Sequence, residues 1–275
     1  MSSKDQHDTP RYRGVVCDLD GTVYLSGRPF PGAVEALLAL RAAGVRVLFV
    51  SNNPHRDAEA YARRLADIGL PTSPEDILTS GAVTASWVAE NLPGARALVL
   101  GEESLIRELT AVGVKLVEKG DEADVVVASF DRTFTYARWT EAFRAIRAGA
   151  RFIATNPDPT CPVDDGEIPD CGGIIAALEV TTGRPVEHVM GKPSPLMVEA
   201  ALRRLMLDKE DVLVVGDRLG TDIELGCRAG IDSAMVLTGV STREQAELSA
   251  SRPTYVLESL ADLPGIVGAR KPIES

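Results

Sequence analysis

The stretch VVCDLDGTVY, residues 15–24, runs a short apolar segment straight into Asp18 and Asp20. Val15, Val16 and Cys17 follow one another without polar alternation, the pattern of a parallel strand covered on both faces. Two carboxylates at the end of such a strand repel each other, and burial makes each harder to ionise. Something else at that strand end must offset the cost.

The same rhythm continues outward from this stretch. Short apolar runs predict strands over 15–17, 45–50, 97–100, 125–128, 152–154, 212–215 and 234–237. Amphipathic patterns between them predict helices over 33–43, 56–68, 102–112, 136–148 and 196–207. Gly44, Gly69, Gly113 and Gly149 each follow a helical pattern, where a left-handed cap favours glycine. Strand and helix in alternation predict an α/β fold with a doubly wound parallel sheet. No internal repeat or low-complexity segment interrupts it.

The chain has 275 residues, enough for one large or two smaller domains. A net charge of −11 argues against a nucleic-acid surface, which clusters Lys and Arg, but leaves room for one cationic pocket that takes a small anion. No apolar run reaches the ~20 residues that span a bilayer. The polar opening MSSKDQHDTP lacks the apolar centre of a signal peptide and reads as a disordered tail over 1–11. Cys17, Cys161, Cys171 and Cys227 form no CxxC pair, which suits free thiols in a cytoplasmic protein, with a Cys161–Cys171 bridge left open.

Ligands of parallel α/β sheets bind at the carboxyl ends of the strands. Four polar clusters lie at predicted strand ends or helix starts: Asp18 with Asp20; Ser51, Asn52 and Asn53; Lys192 in MGKPSP; and Asp217 with Asp222 in VVGDRLGTD. Each has a plain structural reading. A strand-end Asp caps the next helix, SNN suits a turn, Lys192 suits a solvated loop, and Asp222 suits a helix start. Together they would meet at one sheet edge. Four carboxylates facing one lysine would repel an anionic substrate unless a cation sat among them. With no His or Cys cluster to favour a softer metal, Mg²⁺ is the expected ion, and it answers the question raised by Asp18 and Asp20.

DxDGT after the first strand, Ser51 after the second, Lys192 before a helix and GDxxxTD after a late strand, in that order, resemble the haloacid dehalogenase (HAD) superfamily. ARFIATNPD (150–158) and GKPSP (191–195) resemble its NagD-like type IIA phosphatases, which act on sugar, nucleotide, glycerol or pyridoxal phosphates. The resemblance implies a core over 12–82 and 184–275 and an inserted α/β cap over 83–183. It implies that Asp18 is the nucleophile that forms an aspartyl phosphate and Asp20 the general acid and base. Ser51 and the Asn52 backbone would hold phosphate oxygens, and Lys192 would neutralise the transferring group. Mg²⁺ would be held by Asp18, the Asp20 carbonyl, Asp217 and Asp222, the last directly or through another group. Arg218, Leu219, Gly220 and Thr221 would line the substrate pocket, and Asn156 and Asp158 would contact the leaving group. An Asx-Pro turn is the plain alternative for that last pair. The implied partner is a small phosphorylated metabolite, and family members often form homodimers through the cap.

Other motifs fail. The glycines of GDRLGTDIELG lack GxGxxG spacing, and no GxxxxGK[ST] loop exists. His55 and His188 stand alone, and Trp87 and Trp139 lie in helical patterns as packing residues. A phosphotransferase or mutase on the same scaffold, and a non-catalytic binding protein, remain the alternatives to a phosphatase.

Overall fold

The computed structural model describes residues 10–163 and 166–268. Residues 1–9 of the tail expected over 1–11 lie outside the described residues. The chain forms two compact units: one of residues up to Phe49, Arg64–Thr72 and from Ala201 onward, the other of Val50–Arg63 and Ser73–Ala200.

In the first unit the strands Tyr255–Leu257, Asp232–Val236, Val212–Gly216, Gly14–Asp18 and Arg46–Ser51 lie in that order, the last one running on into the second unit. Gly14–Asp18 and Val212–Gly216 are parallel and buried at every residue. From Gly14–Asp18 the chain winds outward to Arg46–Ser51, and from Val212–Gly216 it winds the other way through Asp232–Val236 to Tyr255–Leu257. This is the doubly wound arrangement, and its direction reverses between the two central strands. Such a reversal opens a crevice at the carboxyl ends, because the two crossover helices depart to opposite sides.

The second unit has a parallel sheet of its own, ordered His188–Val189, Arg151–Ala154, Val125–Ala128, Arg96–Leu100 and Lys115–Leu116. Leu98, Leu100, Val126, Phe152 and Ala154 pack with Ile146 of helix Tyr136–Ala148 and Ile174 and Leu178 of helix Cys171–Thr182. Val125, Val127 and Ile153, pointing the other way along the same strands, are also fully buried, so the sheet is covered on both faces. Gly149 caps Tyr136–Ala148 at φ 109°, the left-handed conformation expected of it. Trp139 packs at the edge of this core, and Trp87 lies 4.9 Å from the His188 ring. The helix expected over 56–68 runs Ala58–Asp67, because the Asp57 carboxylate accepts the Ala60 N–H at 2.9 Å and starts it late. All four cysteines are free thiols, so no Cys161–Cys171 bridge forms. No helix among the described residues is long and apolar enough to cross a membrane.

Helix Glu103–Ala111 turns one ionisable group inward. Thr79 Oγ1 caps helix Ser80–Asn91 by accepting the Ala82 N–H, and donates its own proton to Glu108 Oε1 at 2.7 Å. The other oxygen, Oε2, is buried without a hydrogen-bond partner. Burial therefore pushes the Glu108 carboxyl from 4.5 up to about 7, the Thr79 bond acting against it and the charges of Asp57 and Glu59 adding to it. A carboxyl whose pKa is raised by folding stabilises the fold fully below its unfolded pKa and loses that contribution as pH rises through the folded one. Wild-type stability relative to Glu108→Gln, which carries no charge at any pH, should thus fall between about pH 4.5 and 7. Calorimetric melting of both proteins across that range checks it, and parallel profiles would contradict it.

Candidate active site

Parallel register sets Cys17 opposite Val215, so Asp18 and Asp217 leave the carboxyl ends of the two strands that flank the reversal. Asp222 follows in a widened helical turn, Leu219–Ile223, of the kind often found at functional sites. One carboxylate oxygen from each of Asp18, Asp217 and Asp222 lies within 4.8 Å of the others, and all three residues are buried. Hydrogen-bond donors face this trio. Thr22 Oγ1, itself buried, lies 3.3 Å from Asp18 Oδ2 and 3.4 Å from Asp217 Oδ1. The Val240 N–H donates to Asp217 Oδ2 at 2.7 Å, and the Arg218 N–H to Asp222 Oδ2 at 3.1 Å.

Neutral donors soften the repulsion among three carboxylates but do not cancel it. An all-oxygen, anionic and buried donor set fits a hard divalent cation of the size of Mg²⁺. The Asp20 carboxylate is not one of the trio, and its residue bridges to Tyr24 in the tight loop that follows. That loop closes on the Leu19 carbonyl, which accepts from the N–H groups of Thr22, Val23 and Tyr24. Gly21 stands at φ 90° with its absent Cβ 2.6 Å from Asp217 Oδ2, so both its backbone and the carboxylate beside it require glycine. Arg218, Leu219 and Thr221 are partly exposed and Gly220 is exposed, in the turn between the two carboxylates.

The second unit gathers the remaining predicted residues. Ser51 is buried at the end of its strand, 2.9 Å from the Tyr61 hydroxyl, and accepts the Asn53 N–H at 3.2 Å. Lys192 comes three residues after strand His188–Val189 and is 2% exposed. Its N–H donates to Asn52 Oδ1 at 2.7 Å, and its carbonyl accepts from Asn52 Nδ2 at 2.9 Å. Asn52 Nδ2 also donates to Asp158 Oδ2 at 2.8 Å. Asn156 is fully buried, and its amide donates to Asp158 at 3.1 Å and to Asp170 at 3.3 Å. The side chains of Asn156 and Asp158 thus engage protein groups.

Two family models, haloacid dehalogenase-like hydrolase and HAD-hydrolase-like, match residues 15–115 and 189–263. The sugar-phosphatase AraL of Bacillus subtilis is 38% identical over 94% of each chain. The chain belongs to the haloacid dehalogenase-like hydrolases. Among solved structures of the family, the 4-nitrophenylphosphatase of Thermotoga maritima superposes with a TM-score of 0.88 at 37% identity, over 94% of this chain and 98% of that one. A glycerol phosphate phosphatase of Mycobacterium tuberculosis, solved in complex with magnesium, gives 0.86 at 40% identity over 92% and 76%.

As a haloacid dehalogenase-like hydrolase the chain carries supporting residues that its motifs did not single out. Thr22 lies inside DxDGT, yet its bridging position between Asp18 and Asp217 has no signal in spacing. The Val240 N–H sits in a turn after strand Asp232–Val236, where TGVS was the available cue. Gly216 and Gly239 clear the space the carboxylates occupy: a Cβ on Gly216 would lie 2.2 Å from Asp222 Cγ, and one on Gly239 would lie 2.0 Å from Asp217 Oδ2. Gly216→Ala should therefore displace Asp222 and weaken Mg²⁺ binding by roughly tenfold or more, the usual cost of disturbing the groups that orient a ligand. Titration calorimetry with Mg²⁺ reads this directly, and wild-type affinity in a folded Gly216→Ala protein would remove Asp222 from the metal's surroundings.

Proposed function

We propose that this chain is a Mg²⁺-dependent phosphatase that hydrolyses a small phosphomonoester in two steps through an aspartyl phosphate on Asp18. The observation that carries the reading is the buried trio Asp18, Asp217 and Asp222 at the sheet's reversal. Mg²⁺ would be held by Asp18, Asp217 and Asp222 with the Asp20 carbonyl, and when bound it offsets the charge of these carboxylates and of the phosphoryl oxygens.

An Asp18 carboxylate oxygen attacks phosphorus and the ester P–O bond breaks, while Asp20 gives its proton to the departing oxygen. Asp20, now a carboxylate, takes a proton from water as that water's oxygen attacks the same phosphorus. The bond to Asp18 breaks, inorganic phosphate leaves, and both aspartates return to their starting states. Ser51 Oγ and the Asn52 backbone hold phosphoryl oxygens, and Lys192 neutralises the group in transfer. Arg218, Leu219, Gly220 and Thr221 line the approach of the leaving group. Residues 83–183 act as the cap over a core of 12–82 and 184–275, a division supported by the separate sheet and apolar core of the second unit.

Relatives named for sugar phosphates and glycerol phosphate direct the substrate toward a phosphorylated sugar or polyol. The reading also makes the chain a cytoplasmic homodimer joined through the cap, in keeping with its free thiols and the exposed Tyr136 and Val180, and light scattering tests that assembly.

Asp18→Asn keeps the side chain's shape but removes the nucleophile. Phosphate release from glycerol 3-phosphate, a panel of sugar phosphates and p-nitrophenyl phosphate should fall to background in this variant. Chelation should abolish wild-type turnover, and added Mg²⁺ should restore it. Near-normal kcat in folded Asp18→Asn, or full activity after exhaustive chelation, would refute the mechanism.

A further inference from the structure

Lys192 lies where the second unit's sheet runs out of ladder partners. The Met190 N–H donates to the Ala154 carbonyl at 2.9 Å and the Gly191 N–H to the Thr155 carbonyl at 2.7 Å, continuing the pairing of His188–Val189 with Arg151–Ala154. At Lys192 a side chain takes over. Asn52 accepts the Lys192 N–H through Oδ1 and donates through Nδ2 to the Lys192 carbonyl, as a neighbouring strand would. A carboxamide is the side chain that offers an acceptor and a donor in one plane.

Its orientation is fixed from outside. The second Nδ2 proton goes to Asp158 Oδ2, and a flipped amide would set Oδ1 against that carboxylate and Nδ2 against the Lys192 N–H. Asp158 is held in turn by the buried Asn156, which is tied to Asp170 and accepts from Thr155 Oγ1 at 2.7 Å. Gly191 gives the amide its room, since a Cβ there would lie 2.5 Å from Asn52 Oδ1.

We infer that the Asn52 side chain is a positioning residue that holds Lys192 in place through its backbone, with Asp158 setting the direction of the Asn52 amide. This assigns Asn156 and Asp158 to the support of the lysine, in place of contact with the leaving group. The inference rests on the phosphatase reading only for what Lys192 does, not for how Lys192 is held.

Two measurements test it. In acetic anhydride footprinting read by mass spectrometry, the buried Lys192 should acylate several-fold faster in Asn52→Ala than in wild type, with Lys115 and Lys119 unchanged as internal controls. Asp158→Asn, which frees the amide to flip, should give a smaller acceleration and serves if Asn52→Ala does not fold. An unchanged Lys192 rate in the folded variants overturns the clamp. On p-nitrophenyl phosphate, Asn52→Ala should lower kcat/KM by about tenfold, the worth of a hydrogen bond or two, yet change it little in a Lys192→Met background. Additive losses would show that the Asn52 side chain acts independently of Lys192 and overturn the inference. Faster acylation in a protein whose wild type releases no phosphate from any monoester would leave the clamp standing and remove the phosphatase reading instead.

Discussion

Three carboxylates buried with oxygens within 4.8 Å of one another set the terms for the rest of the first unit. Donors around them soften their mutual repulsion, and a cation held among them would offset the rest. Thr22 stands between Asp18 and Asp217, backbone N–H groups of Val240 and Arg218 face the other oxygens, and glycines at 21, 216 and 239 let the chain pass close by. The reversal of strand order supplies the opening. From Gly14–Asp18 and Val212–Gly216 the sheet winds in opposite directions, the arrangement that opens a crevice at strand carboxyl ends.

The second unit solves a different problem, that of holding a lysine inside protein. Lys192 is almost fully buried, and its backbone is fixed by a side chain rather than by a strand. A strand would have covered the residue along its length. An amide side chain holds one residue at one point, and the hydrogen-bonded line from Asn52 through Asp158 and the buried Asn156 to Asp170 stiffens that point.

Much of the fold was legible in the sequence. The strands predicted over 97–100, 125–128 and 212–215 are Arg96–Leu100, Val125–Ala128 and Val212–Gly216, because unbroken apolar runs have one stable home in a sheet covered on both faces. Helix Cys171–Thr182 left no such trace, since CGGIIAALEVTT carries two glycines in its first turn and a run of apolar residues after them, which hides a helical stripe. Ser80–Asn91 is rich in small and β-branched residues and owes its start to the Thr79 cap. Strands Ile77–Thr79 and Tyr255–Leu257, three residues each, are too short for any period to show.

The candidate site divides along the same line. Local pattern alone placed Asp18, Ser51 and Asp217 at strand ends and Asp222 one turn beyond, because strand periodicity and turn residues are properties of neighbours in the chain. It also supplied the excess of carboxylate over lysine that calls for a metal. The tertiary structure decided which groups meet. Asn52 lies 140 residues from Lys192 and 106 from Asp158, and Thr22 lies 195 from Asp217. Hydrogen bonds across such separations depend on the register in which strands pair and on which way each side chain turns. Both are settled by packing the whole unit, so the sequence, which suggested leaving-group contacts or an Asx-Pro turn for Asn156 and Asp158, gave no sign that their side chains bond to Asn52 and Asp170.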